Sequence, residues 1–443
     1  MARAISSITS RRLVRDLAQL ALAPPESWCE VGLNVRPNLH GLLRYPAMMV
    51  PKMQGDIIDA VLGVTGQDCR VLDPFVGSGT IMTEAIIRGL DFTGIDINPL
   101  AVLVCEAKAA IDAGADVNGA AKTVIHYLRT DIQETIDVEF NNRSKWFSDE
   151  SAMHLSRVRR GIEQVADRAA RKVLWTAFAE TVRKSSNSRT STYKLHIRKD
   201  DELVEGSRVA SIFEDVLRQT LYRIEEYRKE HLAGRARKPK VRIICSDVRV
   251  AKLGKSAKQH DILVTSPPYG DNQTTIPYGQ FSYLTLQWIP EIDLPAGWSS
   301  DHISNTHALD SSSLGGSKVG AMEKAETMKF TSPTFAAFVK TARNAGNTAA
   351  IQKVGCFTYD FLESLSQIRS QSSSSAHWIL TTGNRTASGM RVPFDAICRD
   401  IVEFLGGKPI ATLQRELPSK RMPSRNSVGE MITAEATLVA EFA

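Results

Sequence analysis

Long apolar runs are absent from this sequence of 443 residues. No stretch of about 18 consecutive hydrophobic residues occurs, so nothing predicts a membrane-spanning helix. The first residues, MARAISSITSRRLVRDLAQLAL, are basic and then apolar, as a targeting peptide would be. However, Arg11, Arg12, Arg15 and Asp16 interrupt the apolar part, and no clean small-residue cleavage site follows. We therefore predict an amphipathic N-terminal helix.

Cysteine is scarce and scattered. The six cysteines form no CxxC pair, and no histidines cluster near them at the spacing of metal ligands. This pattern argues against a disulfide framework and against a zinc site, so we expect no bound metal. Reduced thiols in a cytoplasmic protein fit the pattern better.

The remaining composition is that of a globular protein. Hydrophobic residues make up 43% and charged residues 23%, and the length allows one large α/β domain with a substantial insertion or second domain. The net charge of +6 is only mildly suggestive of an anionic partner. Six basic residues and no acid lie between Arg183 and Lys199, and five more basic residues lie between Arg235 and Arg242. Such runs are solvated surface about as often as they are phosphate contacts, and both interpretations stay open.

The order of predicted elements indicates the fold class. CRVLDPF has the pattern of a short buried strand, GSGT that of a tight turn, and IMTEAIIRG that of a helix ended by Gly89. DFTGIDIN then predicts a second strand, and PLAVLVCEAKAAI a second helix with Pro99 in its first turn. Strand, helix, strand and helix in this order predict an α/β fold with a doubly wound parallel sheet.

The sheet pattern stops after the second helix. From 116 to 234 the signals are mainly helical, with amphipathic segments at 149–182 and 208–230. Strands resume at KVRIICSDVR and HDILVTSPPYGD, a polar loop is predicted at about 298–330, a helix at 392–405, and a closing β-hairpin in the tail. We therefore predict four parts: an N-terminal helix and loop (1–36), a first half of the core (37–115), a helical insertion (116–234) and a second half of the core (235–443).

The segment Asp73-Pro74-Phe75-Val76-Gly77-Ser78-Gly79-Thr80 is the first candidate binding loop. It joins a strand to a helix N-terminus, and its glycines let backbone N–H groups approach a ligand. No Lys-Ser/Thr pair follows the glycines, which disfavours a phosphate-binding P-loop. Asp73 at the strand end suits an amine-bearing ligand, whereas the alternative is a plain turn with a capping aspartate.

Two further carboxylates follow strands. Asp96 in GIDIN can accept hydrogen bonds from both ribose hydroxyls, and Asp247 in ICSDVR can accept from an adenine amino group. Either aspartate alone is more often a helix cap than a ligand. Together, behind the glycine loop, they predict a site for an adenosine-containing molecule.

The turn Thr265-Ser266-Pro267-Pro268-Tyr269 follows the apolar strand DILV. An arylamine is a poor nucleophile because its lone pair is delocalised into the ring, and acceptors that bond its hydrogens localise that pair. Two prolines remove backbone donors and present carbonyls rigidly, Ser266 adds an acceptor, and Tyr269 offers a face for an extruded base. The alternative is a proline-rich turn without chemistry.

DPFVGSGT and TSPPY resemble the cofactor and catalytic motifs of the amino-methylating DNA methyltransferases, the N4-cytosine and N6-adenine family. The resemblance covers most of 37–110 and 240–443, and implies a Rossmann-like class I fold that binds S-adenosyl-L-methionine. It assigns the methionine end to HGLLRYPAMMVP, the ribose to Asp96 and the adenine to Asp247. The implied cofactor set is Tyr45, Pro46, Ala47, Asp73, Pro74, Phe75, Gly77, Gly79, Asp96 and Asp247, and the implied catalytic set is Ser266, Pro267, Pro268 and Tyr269.

The resemblance implies methylation of the exocyclic amine of a base flipped out of double-stranded DNA, as in restriction–modification, with any cognate endonuclease acting separately. Serine in the catalytic turn is similar to the N4-cytosine branch, whereas aspartate is commoner in adenine enzymes. The order of the motifs does not settle the branch. Candidate contacts to the DNA backbone are Arg183, Arg189, Lys194 and Arg198 in the basic loop, and Lys420 and Arg421 in the tail.

Three other functions are compatible with parts of this pattern or need features that it lacks. A carbon-5 cytosine methyltransferase needs a catalytic cysteine, typically after proline, and no Pro-Cys pair exists in the chain. An RNA guanine-N2 methyltransferase and a non-catalytic DNA-binding relative stay as alternatives. Phe281 and Tyr283 are candidate pocket walls, although their spacing fits a core helix equally well.

Overall fold

A seven-stranded sheet forms the centre of the protein. The computed structural model describes residues 2–22, 28, 36–235, 237–253, 259–269, 277–417 and 434–442. In chain order the strands are β1 (Arg70–Asp73), β2 (Asp91–Asp96), β3 (Val241–Cys245), β4 (His260–Thr265), β5 (Ser372–Thr382), β6 (Arg385–Ala387), β7 (Met390–Val392), β8 (Lys408–Glu416) and β9 (Ala434–Glu441).

The strand order in the sheet is β3-β2-β1-β4-β5-β9-β8, and β6 and β7 form a separate hairpin. The first five strands of this order pair in parallel, whereas β9 runs antiparallel to both β5 and β8. The chain leaves the centre in one direction through β1, β2 and β3 and then returns through β4 on the other side of β1. This reversal places a crevice at the carboxyl ends of β1 and β4, where open α/β sheets bind ligands.

Helices connect and cover these strands. The α-helices are α1 (Ala2–Ala21), α2 (Pro51–Thr65), α3 (Thr80–Ile87), α4 (Pro99–Ala113), α5 (Val117–Thr130), α6 (Arg143–Trp146), α7 (Asp149–Glu163), α8 (Arg168–Ser185), α9 (Val209–Tyr227), α10 (Tyr278–Trp288), α11 (Ala308–Ser312), α12 (Ala321–Thr331), α13 (Pro333–Asn344), α14 (Thr348–Arg369) and α15 (Phe394–Phe404).

Both faces of the sheet are buried. Alternate residues of a strand point to opposite faces, so Val71 joins the hydrophobic cluster under α1 to α4, whereas Leu72 joins the cluster under α12 to α15. Ile262 and Leu263 of β4 divide in the same way. Helices on both faces of a largely parallel sheet confirm the predicted doubly wound α/β fold.

The helices α5 to α9 lie between β2 and β3 in the chain, where the helical insertion is predicted. Their apolar faces form a third hydrophobic cluster, which also contains Leu100 and Leu103 of α4 and Leu286 of α10. The inserted helices are therefore packed directly against the core through α4 and α10.

Two predicted boundaries need correction. The single amphipathic segment at 149–182 is two helices, because the chain turns after Glu163 and Asp167 caps α8 by accepting from the backbone N–H of Ala169. The polar loop predicted at about 298–330 is wrong in part, since it contains α11 and α12. Few side chains of α12 are buried, so the apolar pattern in the sequence is weak there.

No helix is predicted from the sequence at the positions of α13 and α14, which pack closely in the structure. Close contact stabilises this region: Gly355 of α14 lies against Ala325 of α12, and a Cβ at Gly355 would be 2.8 Å from the Ala325 Cβ. The helix at 392–405 and the closing hairpin are confirmed by α15 and by the antiparallel pairing of β8 with β9.

The predicted N-terminal helix is confirmed by α1, whose Leu13 and Leu17 are fully buried. No helix in the described ranges is long and apolar enough to span a membrane. Five of the cysteines are buried free thiols, and Cys29 lies outside the described residues.

Candidate active site

A cleft of about 920 Å³, counting the open space at its mouth, lies at the carboxyl edge of the sheet. Residues that follow β1, β2, β3 and β4 all line it, as the topology requires. The lining residues are Tyr45, Pro46, Ala47, Met48, Met49, Pro74, Phe75, Val76, Gly77, Ser78, Thr80, Asp96, Ile97, Asn98, Ser246, Asp247, Val248, Ser266, Pro268, Tyr278, Leu309, Asp310, Ser313 and Leu314.

The glycine loop is held in place from several sides. Gly77 and Gly79 have φ angles of 50° and 78°, in the left-handed region that a residue with a Cβ disfavours. The Gly77 N–H donates to Asp96 Oδ2 at 2.8 Å, and the buried Lys108 ammonium donates to the Gly79 carbonyl at 3.4 Å. Gly77 lines the cleft, whereas Gly79 lies behind it as the residue before α3.

Replacing Gly79 by alanine is expected to lower the free energy of unfolding for two reasons. The left-handed conformation costs about 1–2 kcal/mol for any L side chain, and the new Cβ would lie 2.9 Å from Cys105 Sγ. Gly89 is the matched control, because its φ of 73° is similar and nothing lies within 4 Å of a Cβ there. Urea denaturation of both variants should show the larger loss in Gly79→Ala. Equal losses would contradict a steric contribution from Cys105.

Asp73 is at the end of β1, as predicted, but its side chain points away from the open cleft. Its side chain is fully buried and is absent from the cleft lining. Oδ1 accepts from the Thr265 hydroxyl at 2.6 Å and from the Phe75 N–H at 3.0 Å, so it joins the ends of β4 and β1. Burial raises the pKa of the Asp73 carboxyl to about 7. Any contact of Asp73 with an amine-bearing ligand stays a prediction.

Asp96 lines the cleft at the end of β2, and its contact with ribose hydroxyls stays a prediction. Its two carboxylate oxygens accept from the backbone N–H groups of Gly77 and Asn98, both at 2.8 Å. Burial raises the pKa of this carboxyl to about 6, and the backbone donors counter part of that rise. Each carboxylate oxygen has further acceptor capacity for a ligand hydroxyl.

Asp247 also lines the cleft, after β3. Its carboxylate is already engaged by the Arg249 guanidinium, with N–O distances of 2.5 to 3.1 Å. Arg249 in turn contacts Asp360 of α14 at 3.0 Å. The predicted adenine contact of Asp247 is therefore restricted to the acceptor positions that Arg249 leaves.

The segment before α2 forms one wall of the cleft, with Tyr45, Pro46 and Ala47 all in the lining. The Tyr45 hydroxyl accepts from Asn98 Nδ2 at 2.9 Å, and its ring stacks on Tyr278 with centroids 5.7 Å apart. Burial raises the pKa of the Tyr45 phenol well above its ordinary value. Tyr45 is therefore a neutral hydrogen-bonded part of the wall.

The catalytic turn divides between the cleft and the core. Ser266 and Pro268 line the cleft, whereas Pro267 is buried and Tyr269 packs against the hydrophobic cluster that includes Phe361. The Tyr269 hydroxyl lies 3.2 Å from Ser266 Oγ and 3.2 Å from Glu435 Oε1. Stacking of an extruded base on Tyr269 stays a prediction.

Several lining residues escaped the sequence interpretation. Tyr278 occupies the wall position predicted for Phe281 and Tyr283, which lie outside the lining. Asp310 accepts from the Gly279 N–H at 2.9 Å, and burial raises the pKa of its carboxyl to about 6. No local pattern marks Tyr278 or Asp310, because the cleft receives them through the packing of α10 and α11. Asn98 also lines the cleft, and it differs from these two residues because the pair Asn98-Pro99 is a helix-start signal in the sequence.

The basic loop is only partly available to a ligand. Arg183 pairs with Glu180 at 3.0 Å, and Arg198 donates to the Ser188 and Lys184 carbonyls. Arg183 also donates to the Thr190 carbonyl at 3.2 Å, so both arginines stabilise the loop, and their contact with DNA phosphates stays a prediction. Arg189 and Lys194 are exposed. Lys420 and Arg421 lie outside the described residues.

The loop is joined to the helix that borders the cleft. The Leu195 N–H donates to Gln280 Oε1 at 3.1 Å, and the Tyr193 ring contacts Phe281 edge-on with centroids 5.9 Å apart. Both partners belong to α10, whose first residue, Tyr278, lines the cleft. These contacts connect the loop that carries the exposed Arg189 and Lys194 to α10, which borders the cleft.

A second, more polar cleft lies beyond β5, with about 1310 Å³ of space including open solvent. Its lining residues are Thr382, Gly383, Asn384, Thr386, Arg391, Asp395, Gln414, Ala434, Glu435 and Ala436. Among the described side chains, no group of three or more His, Cys, Asp or Glu residues could hold a metal ion.

Comparison with known proteins gives a relative over nearly the whole chain. The type II methyltransferase M.MvaI of Kocuria varians is 27% identical over 405 residues, which cover 89% of this chain and 87% of the relative. No family model matches the chain. Among solved structures, the rRNA methyltransferase AviRa of Streptomyces viridochromogenes aligns with 89% of this chain and 86% of its own, at 12% identity and a TM-score of 0.31. The long sequence similarity to M.MvaI, together with the Rossmann-like α/β fold, supports a methyltransferase family for this protein.

Proposed function

We propose that the protein transfers a methyl group from S-adenosyl-L-methionine to the exocyclic amine of a base flipped out of double-stranded DNA, namely N4 of cytosine. The observation that carries the proposal is that Asp96, Gly77 and Ser266 line a single cleft although they lie at or just after the ends of three different strands. Similarity to a type II methyltransferase over 89% of the chain supports a DNA substrate.

The cleft residues fit the proposed cofactor. Gly77 has no Cβ to keep a ligand away from the loop backbone, and Asp96 supplies carboxylate oxygens for the ribose hydroxyls. Phe75, Val248 and Leu314 give apolar surface for an adenine ring. When bound, the cofactor supplies an electrophilic methyl group on a sulfonium centre.

The substrate amine is assigned to Ser266 and the carbonyls of the proline turn. Buried acceptors that bond the amino hydrogens hold the nitrogen lone pair out of conjugation, which is the requirement for arylamine nucleophilicity. N4 lies inside the stacked duplex, so the base must be extruded at a cost of a few kcal/mol. Serine at position 266, like that of the N4-cytosine branch, supports cytosine over adenine.

The product identifies the target base. The purified protein is incubated with S-adenosyl-L-methionine and unmethylated genomic DNA, and the digested nucleosides are analysed by mass spectrometry. A Ser266→Ala, Tyr269→Ala double variant serves as the blank. N4-methylcytosine absent from the blank supports the proposal. N6-methyladenine would refute the cytosine assignment, and methylation of RNA alone would refute the DNA assignment.

Charge reversal in the basic loop tests DNA contact. Arg189→Glu combined with Lys194→Glu is expected to weaken DNA binding on the order of tenfold at moderate salt, and to lower the salt-dependence slope by about 1 for each lost phosphate contact. Binding is measured by fluorescence anisotropy on a DNA duplex at several salt concentrations, and cofactor binding by calorimetry.

The control for that pair is Lys122→Glu with Lys340→Glu, which makes the same change in net charge at exposed positions of α5 and α13. We expect the control to keep most of its DNA affinity. Equal weakening in both pairs would mean that only the net charge matters and would contradict a contact at the loop.

A DNA-modifying enzyme of this kind acts in the cytoplasm of its host, where it meets the chromosome. We place the protein there, within a restriction–modification setting in which a cognate endonuclease is a separate protein. If this setting is right, deletion of the gene should make host DNA sensitive to the cognate endonuclease. Unchanged resistance of that DNA would contradict it.

A further inference from the structure

A chain of hydrogen bonds leads from the cleft to the closing hairpin. Ser266 Oγ, which lines the cleft, is 3.2 Å from the Tyr269 hydroxyl, and that hydroxyl is 3.2 Å from Glu435 Oε1. Glu435 Oε2 accepts from Arg415 at 2.5 Å. Arg415 and Glu435 are cross-strand partners in the β8–β9 register.

The Glu435 carboxylate determines which groups donate and which accept in this series of hydrogen bonds. The Glu435 side chain forms an ion pair with Arg415, and a carboxylate oxygen only accepts hydrogen bonds. The Tyr269 O–H therefore donates to Glu435. The phenol oxygen is then the acceptor for the Ser266 O–H, and the lone pairs of Ser266 Oγ are left for the cleft.

The tyrosine is suited to this role because it stays protonated. Burial and the neighbouring Glu435 carboxylate raise the pKa of the Tyr269 phenol well above its ordinary value. Without Glu435, the Tyr269 O–H could instead donate to Ser266 Oγ. The serine proton would then point into the cleft, where it would oppose an incoming N–H group.

We infer that Glu435 is a positioning residue, which acts through the Tyr269 hydroxyl to make Ser266 Oγ an acceptor facing the substrate amine. The inference rests on the proposed function and adds a specific role for the closing hairpin. It also explains why Tyr269 lies outside the cleft lining while its hydroxyl touches a lining residue.

The kinetic test is a double-mutant cycle between Glu435→Ala and Tyr269→Phe. Glu435→Ala is expected to lower kcat about tenfold, the effect of losing one charge-assisted hydrogen bond, with the Kd for S-adenosyl-L-methionine unchanged. In the Tyr269→Phe background the same substitution should have almost no further effect. Glu435→Gln, which keeps an acceptor without the charge, should recover part of the rate.

Glu441→Gln is the matched control, because Glu441 is at the other end of β9 and pairs with Ser10 and Lys408. Its kcat should equal that of the wild type. Equal losses from Glu435→Ala with and without the Tyr269 hydroxyl would overturn the inference and leave Glu435 a purely structural residue of the hairpin.

A spectroscopic measurement tests the chain of hydrogen bonds without any activity. In protein labelled with ¹³Cζ-tyrosine, the Tyr269 resonance, assigned with Tyr269→Phe, should move in Glu435→Gln and stay in place in Glu441→Gln. An unmoved Tyr269 resonance in Glu435→Gln would overturn the inference even if DNA is methylated. Failure of the wild-type protein to methylate DNA would refute the proposed function, while the resonance would still report on the hydrogen bond.

Discussion

Ser266→Ala is expected to lower kcat for DNA methylation by about 100-fold or more, the usual effect of removing one preorganised polar group from a reacting centre. Ser266 lines the cleft, and its Oγ is directed by the Tyr269 hydroxyl 3.2 Å away. Alanine removes the acceptor that bonds the substrate amine, so the loss should fall on kcat. The affinity for S-adenosyl-L-methionine should stay close to that of the wild type, as measured by calorimetry.

Ser372→Ala is the control for that substitution. Ser372 is a buried serine at the amino-terminal end of β5, on the strand next to β4, and its hydroxyl donates to the Ile368 carbonyl at 3.0 Å. Loss of the Ser372 hydroxyl should lower the free energy of unfolding but leave kcat unchanged. A Ser266→Ala enzyme that keeps the wild-type kcat would remove Ser266 from the chemistry.

Asp96→Ala is expected to weaken binding of S-adenosyl-L-methionine by about 150-fold or more, because two hydrogen bonds to a charged group contribute about 3–4 kcal/mol. The carboxylate is proposed to bond the ribose, and it also orders the loop by accepting from the Gly77 N–H. Asp91→Ala is the control at the opposite end of β2, where the carboxylate accepts from the Lys240 N–H. Wild-type affinity in Asp96→Ala would contradict the ribose assignment.

The same carboxylate predicts a pH dependence. Because burial raises the pKa of Asp96 to about 6 in the folded protein, its ionised form is lost as the pH falls through 6. Cofactor affinity should therefore decrease below that pH, and Asp96→Asn should lack this part of the decrease. Stability has the opposite sign: a raised folded pKa favours the protonated form, so this contribution is lost as the pH rises through 6. Calorimetry between pH 5 and 8, an interval spanning about 1 unit below and 2 above that pKa, checks the affinity.

The parts of the site that the sequence predicted are those formed by neighbouring residues. β1, the glycine loop and α3 are contiguous, so one stretch of about twenty residues contains the strand end, the left-handed turn and the helix N-terminus together. The position of Asp96 is predictable in the same way, because this residue ends the next strand of a parallel sheet. The serine and prolines of the catalytic turn follow directly from β4.

Other residues depended on contacts that no local pattern reports. Asp73 and Thr265 are 192 positions apart, and the hydrogen bond between them, which links the ends of β1 and β4, has no signal in the sequence. The sequence does not reveal that Arg183 pairs with Glu180 of α8 or that Arg198 donates to the Ser188 carbonyl. Folding also packs α12 against α14, and the weakly apolar sequence of α12 does not predict this contact.

Neighbouring residues specify the sheet class, the glycine loop and the proline turn, because strand, turn and helix propensities act over a few adjacent positions. Which polar groups face the cleft depends instead on how distant segments pack together. Tyr278 and Asp310 arrive there on α10 and α11, and Glu435 reaches Tyr269 from 166 positions away. The physical reason is that burial, and the partner each polar group finds on burial, is set by the packing of distant segments.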